Sequence, residues 1–317
     1  MDLEHPQRVS VIDPIGSAIE QVRLMLFRPF DLSKWLVIGF CAWLAYLGQG
    51  GGGSGFNYTF HDHGAPNLAH VKEVLLANLP WIIIGAIIVI PLFIIIGLVL
   101  CWVSSRGRFM FVHCIAGNKA EVAIPWKKFA RHANSLFLFR VIVGLIGMVV
   151  VGLPVAIGVI SIITLHTTGL GAVAVPGLLI AILAAVAIAV VVAVVAKFTT
   201  DFVVPIMFLR TTSCLAGWRQ FLALLGSYKA RMVLYILFQI VISLVIFFII
   251  ASICLVGCCC CCASVLLLVP YVGTVILLPI FVFKRAYSLF YLRQFGSQFD
   301  VFSGPGLAEV SRGGQAA

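Results

Sequence analysis

Long apolar runs broken by short basic bursts fill this chain from residue 35 onward. The clearest, PWIIIGAIIVIPLFIIIGLVLCWV at 80–103, carries no charged residue. A helix crossing a bilayer needs about 20 largely apolar residues, each rising 1.5 Å, so this run predicts a spanning helix. WLVIGFCAWLAYLG at 35–48 is shorter and spans only with help from its flanks or from local thinning of the bilayer. After Arg140 the next charged residue is Lys197, and after Arg231 it is Lys284. Each gap is about twice one span plus a turn and predicts a helical hairpin. Gly and Pro in HTTGLGAVAVPG place the first turn at 166–177, and the second falls near 257–264. The pattern therefore predicts six spans: 35–48, 80–103, 138–163, 178–197, 232–256 and 264–284.

Composition agrees with that pattern. Of 317 residues, 62% are hydrophobic and 10% charged, against about 25% charged in soluble domains. A net charge of +10 points to nucleic acid in a soluble protein. Here, however, the cations sit in clusters between apolar runs, the footprint of topology and anionic headgroups, and nucleic-acid binding is excluded. Arg8, Arg23, Arg28 and Lys34 precede the first span. The segment after the second holds Arg106, Arg108, Lys119, Lys127, Lys128, Arg131 and Arg140. Lys197, Arg210, Arg219, Lys229 and Arg231 follow the fourth, and Lys284, Arg285, Arg293 and Arg312 the sixth. The other side keeps Lys72. By the positive-inside rule both termini are cytoplasmic. The N-terminal MDLEHPQRVSVIDPIG lacks the basic region and apolar core of a secretory signal, so the first span is expected to serve as its own insertion signal.

The basic segments also resemble one another. PWKKFARHANSLFLFRVIVG aligns with GWRQFLALLGSYKARMVLYI at a shift of roughly ninety residues, which sets Trp126 on Trp218, Lys127 on Arg219 and Phe129 on Phe221. Both place apolar residues at helical spacing with cations elsewhere on the wheel, the pattern of an amphipathic helix lying in the headgroup plane. AIEQVRLMLFRPFDLSKWLVIGF reads as a partial copy, its helix carrying Ile15, Ile19, Val22 and Leu26 on one face, and FKRAYSLFYLRQFG resembles the first half of the unit. An internal repeat follows. One membrane domain covers 1–317. Its parts are a cytoplasmic amphipathic segment (1–34), two spans with an outer Gly/His loop (35–103), repeat units 104–197 and 198–284, and a cytoplasmic tail (285–317).

RPFDLSKWLVIGF, the following GQGGGGSG, and the closing VPYVGTVILLPIFVFKRAYSLFYLRQFG together resemble a family of uncharacterised prokaryotic multi-pass membrane proteins. Its marks are Phe-Asp-x-x-x-Trp leading into the first span, a glycine run after it, and Pro-Tyr-x-Gly-Thr-Val-x-x-x-Pro in the last span. The family is distantly similar to the membrane domain of some glycerophosphodiester phosphodiesterases. The resemblance implies a fold and a compartment, and no activity. The chain has no soluble phosphodiesterase domain, so that catalysis does not carry over.

Candidate chemistry is sparse. Five consecutive cysteines, 258–262, ring a helix, because neighbouring residues point about 100° apart. Cys254, Cys258 and Cys262 share a face, but structural zinc needs four converging ligands and no second pair approaches in sequence. The run reads best as small, soft apolar residues at a tight hairpin, with disulfide or metal chemistry at Cys258 and Cys262 the alternative. His61 and His63 in HDHG form a weak His-x-His metal candidate on the outer face. The glycine run lacks a Walker lysine and cradles no phosphate. Asp201, in KFTTDFVVPIMFLR, stands at the boundary of the fourth span. It reads as an interfacial charge paired with Lys197 four residues back, or as a functional residue on a solute path. Away from the span ends, where Arg140, Lys197 and Lys284 stand, the interior of every span is free of Asp, Glu, Lys and Arg. No nucleophile–base pair, paired carboxylates or zinc helix motif is present, so no enzyme and no cofactor are expected.

The sequence predicts an all-α integral membrane bundle in the cell membrane. Its expected function is a non-catalytic interaction or organising module, whose Trp126, Lys127, Trp218, Arg219 and Arg285 face anionic phospholipid headgroups or a membrane protein partner. A transporter or channel for a small solute, with Asp201 on its path, is the alternative. An outer-face metalloenzyme using the His and Cys residues comes third.

Overall fold

The computed structural model describes residues 9–47, 78–168, 171–259 and 269–303. Among these every regular element is helical: α1 (Asp13–Val22), a π-helical turn (Arg23–Phe27), α2 (Leu32–Tyr46), α3 (Leu79–Gly117), α4 (Ala123–Lys128), α5 (Ala130–Thr168) and α6 (Gly171–Phe198). A second π turn (Thr199–Val203) leads into α7 (Val204–Arg210), followed by α8 (Cys214–Ser227), α9 (Lys229–Cys259), α10 (Pro270–Ile276), α11 (Leu278–Arg293) and a 3-10 turn at Ser297–Phe299.

Local chemistry sets the helix ends. The Asp31 carboxylate accepts from Ser33 N at 2.8 Å and Lys34 N at 3.4 Å, capping α2. Trp35 Nε1 donates to Leu26 O at 2.7 Å. The Phe-Asp-x-x-x-Trp stretch thus builds the corner between the first π turn and α2. α3 and α7 stop at residues in the left-handed region, Asn118 (φ 50°) and Thr211 (φ 48°). Lys34 Nζ seals the first by donating to Asn118 Oδ1 at 2.9 Å, and Ser135 Oγ receives Cys214 N at 3.0 Å at the start of α8.

Four helices are long and apolar enough to cross a membrane: Ile83–Gly117, Ala130–Leu165, Ala174–Arg210 and Lys229–Ile253. Their apolar stretches are bare, with Phe93 68%, Val149 76% and Leu183 68% exposed. Water would not tolerate so large an apolar surface; hydrocarbon does. The remaining helical parts collect into one dense core at the ends of these helices. Aromatic stacking runs through it, with ring centroids at 5.9 Å for Phe109–Phe129, 4.9 Å for Phe129–Phe208, 5.2 Å for Phe202–Phe221 and 4.6 Å for Tyr235–Tyr291.

Close backbone contact pins α2 to α3. A Cβ on Gly107 would lie 2.5 Å from the Leu44 carbonyl carbon, and Ser104 Oγ donates to Ala45 O at 3.0 Å. α1 lies on α11, where segments 284 residues apart are stitched together. Ser10 N donates to Gln294 Oε1 at 2.7 Å, Gln294 Nε2 to Ser10 O at 2.9 Å, and Tyr287 OH to Val11 O at 2.9 Å.

Several expected boundaries move. α3 continues to Gly117 rather than ending at 103, and its 39 residues reach about 58 Å, well beyond about 30 Å of hydrocarbon. Residues 171–177 belong to α6 instead of a long turn. The last predicted span, 264–284, is divided at Leu277, where Pro279 opens a new helix; α11 then runs on to Arg293 with most of its residues buried. Of the expected face along α1 and the π turn, Ile15, Val22 and Leu26 meet the core, with Ala18 and Met25 buried beside them, while Ile19 is 56% exposed.

Candidate functional site: a buried cationic cavity

Asp201 sits in the π turn that follows α6. Thr199 and Thr200 donate their hydroxyls to Val195 O and Ala196 O at 2.6 and 2.9 Å, and the wider turn aims the carboxylate inward. Asp201 is 5% exposed. Its Oδ2 accepts from Lys197 Nζ at 2.8 Å and from Tyr235 OH at 2.8 Å. Gln239 Nε2 supports that tyrosine oxygen at 3.1 Å. The Arg285 guanidinium stands 4.0 Å from Oδ1 and donates to Thr200 O. Arg108, on α3, donates to Thr200 Oγ1 at 2.8 Å.

These groups border a cavity of about 420 Å³, within the size range of small-molecule sites. Tyr46, Lys197, Thr200, Asp201, Lys284 and Arg285 supply its polar wall; Ile246, Ile250, Leu277 and Ile280 are among its apolar lining. Three cations therefore face one carboxylate. A small adjoining recess brings Arg108 next to Tyr46, Thr200 and Arg285. Arg108 Nε and Nη2 and Arg285 Nη2 are buried with no acceptor among the described residues.

Asp201 and Arg285, singled out separately in the sequence, meet here. The Lys197 pairing of Asp201 is present, and the carboxylate is buried. The other candidates lie elsewhere. Trp126 packs edge-on to Trp102 at 6.0 Å, and Arg106 lies 4.3 and 4.9 Å over the two rings. Trp218 rests against Phe139 and Phe221 at 5.8 and 5.6 Å, and Lys127 and Arg219 are exposed. His61, His63 and Cys262 lie outside the described residues; Cys258 is in the last turn of α9. Among the described residues no three His, Cys, Asp or Glu side chains converge as metal ligands.

Sequence reasoning passed over Arg108, Tyr235, Gln239 and Lys284 as site residues. It ended the spans where hydropathy falls, whereas the helices continue, so Arg108, Arg140, Lys197 and Asp201 all lie within or against continuous helix. Arg108 carried a usable signal, since RFMFVHCIAG after it is apolar enough to bury it.

The profile of a family described as "Family of unknown function (DUF7544)" matches residues 9–273. No curated protein and no solved structure matches the chain. The family match supplies no link to glycerophosphodiester phosphodiesterases.

Proposed function

This chain belongs to DUF7544, a family of unknown function, and from that footing we propose that it is a non-catalytic interaction module of the cell membrane that gathers anionic phospholipid headgroups on its cytoplasmic side. Six spans, both termini inside, make up the reading: the four long helices, α2, and residues 264–284. α2 has 15 residues, about 22 Å, and crosses by thinning the bilayer around it. Tyr271 OH donates to Leu36 O at 3.0 Å, so α10 and α2 travel as a pair.

The observation that carries the reading is the division of the surface. Bare apolar helix lies on one side of the core. The exposed cations Lys127 and Arg219 belong to the short helices α4 and α8, outside those apolar stretches. Internal duplication is supported by two halves that end alike: α3 at Asn118 and α7 at Thr211, both left-handed, each followed by a Trp-bearing amphipathic helix and a new span.

The test is reconstitution in mixed anionic and zwitterionic bilayers, with lipid enrichment around the protein read by fluorescence quenching. Anionic enrichment should fall in Lys127→Gln/Arg219→Gln; equal enrichment in both proteins rejects the reading. Cysteines introduced at 127 and 219 should label from the cytoplasmic face. A second reading, a small-solute transporter, is favoured by the buried Asp201 at a cavity. It requires solute flux in liposomes that disappears in Asp201→Ala.

A further inference from the structure

The cations of the core exceed the acids that could neutralise them. Arg108 is 4% and Arg285 3% exposed, and Asp201 is the buried acid among the described residues. That acid's Oδ2 is already taken by Lys197 and Tyr235. Arg140 adds a third guanidinium, bonded to Cys101 O and the hydroxyls of Ser104 and Ser105 at 3.3, 3.3 and 3.1 Å. Burying charge without a partner is strongly unfavourable. Arg285 lines the cavity and Arg108 the recess beside it, and walls so charged are complementary to an anion.

The shape beside the cavity says what kind of anion. A second depression, about 440 Å³, is lined wholly by apolar side chains, among them Phe238, Ile242, Val245, Pro279 and Phe283. It shares Ile246 and Ile280 with the cationic cavity. A soluble phosphate makes no contact with that groove, whereas an acyl chain fills it by van der Waals packing against its apolar walls.

We propose that the two depressions together hold one anionic phospholipid per chain. Its phosphate lies against Arg285, Lys284 and Lys197, with Arg108 behind, and one tail runs along the groove between α9 and α11. This rests on the membrane-interaction reading and adds a single internal site to it. A headgroup bearing its own ammonium is disfavoured, since that charge would meet the same cations.

The test uses full-length protein in detergent, washed at about 1 M salt, where the screening length is about 3 Å and peripheral lipid is released. Native mass spectrometry and phosphorus analysis should find one anionic phospholipid on each chain. Lys284→Gln should weaken retention about tenfold, the loss of roughly one charge-assisted hydrogen bond. Val245→Trp fills the groove from an exposed position without altering charge, and should also expel the lipid while thermal unfolding stays close to the parent's. A parent protein free of phospholipid after the wash, or Lys284→Gln at parental occupancy, overturns the proposal. Inorganic phosphate binding that survives Val245→Trp, in a protein carrying no lipid, assigns the site to a soluble anion and overturns it as well. Lys127→Gln/Arg219→Gln should leave this internal lipid in place, so surface enrichment and internal retention fail separately.

Discussion

Arg285 Nη1 stands 4.0 Å from Asp201 Oδ1, while Lys197 holds Oδ2 of the same carboxylate at 2.8 Å. A separation of 4.0 Å is an ion pair without a hydrogen bond. The carboxylate is therefore shared unequally: Lys197 is neutralised along its own helix, and Arg285, arriving from the far end of the chain, keeps unused donors.

Asp201→Asn should destabilise the core, because removing one partner of a buried pair leaves uncompensated charge. Lys197 is 37% exposed, so solvent screening reduces the loss to about 2 kcal/mol. Thermal unfolding in nanodiscs measures it. Adding Lys197→Gln to Asp201→Asn should cost less than the sum of the two single changes, as expected for residues in contact.

Tyr235→Phe tests the other arm of the network. It removes the donor to Asp201 and the acceptor of Gln239 while leaving the ring stacked on Tyr291. The expected loss is about 1–2 kcal/mol, read in the same unfolding assay.

Gly107→Ala should be among the most damaging small changes. The added carbon would meet the Leu44 and Ala45 backbone at 2.5 and 2.6 Å, which forces α2 and α3 apart at about 1–3 kcal/mol. Gly144→Ala is the matched control. Nothing lies within 4 Å of its Cβ position, and it should be neutral or slightly stabilising through helix propensity.

Cys214 should resist alkylation. Burial pushes its thiol up to about 12 from an ordinary 9.0, so at about pH 8 it carries roughly a thousandfold less thiolate than a free cysteine. The sign follows from the folded state favouring the neutral form. Unfolded chain ionises first as pH rises above about 9, so this group's contribution to stability is complete below that pH and fades above it. Peptide mapping after maleimide treatment, with and without denaturant, should show Cys214 modified quickly only when the protein is unfolded.

The all-helical class and the apolar helices were legible because hydrocarbon thickness acts on composition, which a sequence displays directly. The helix ends were not. Hydropathy drops near residue 103, yet the backbone hydrogen bonds of α3 continue to Gly117, since a helix leaving the bilayer can bury polar residues in a protein core. Ile15, Val22 and Leu26 of the expected first face do meet the core and Ile19 does not, while the π turn at Arg23–Phe27 has no signature in the residue types. Asp201 and Arg285 each stood out as ionisable residues beside apolar runs. Their meeting, across 84 positions of chain, is set by the packing of α11 beneath the second π turn and has no local signature. Arg108 was counted as a topological charge, which concealed its burial.

The reciprocal amide clasp between Ser10 and Gln294 carries a consequence for biogenesis. α1, the earliest of the described helices, takes its final seat against α11, the latest of them. Until translation has delivered residue 294, α1 has no α11 to lie on, and the dense core stays unsealed. Assembly of this protein is thus a closing event rather than a march from front to back, and a nascent chain arrested short of α11 should expose an early protease site near residue 10 that the finished molecule hides.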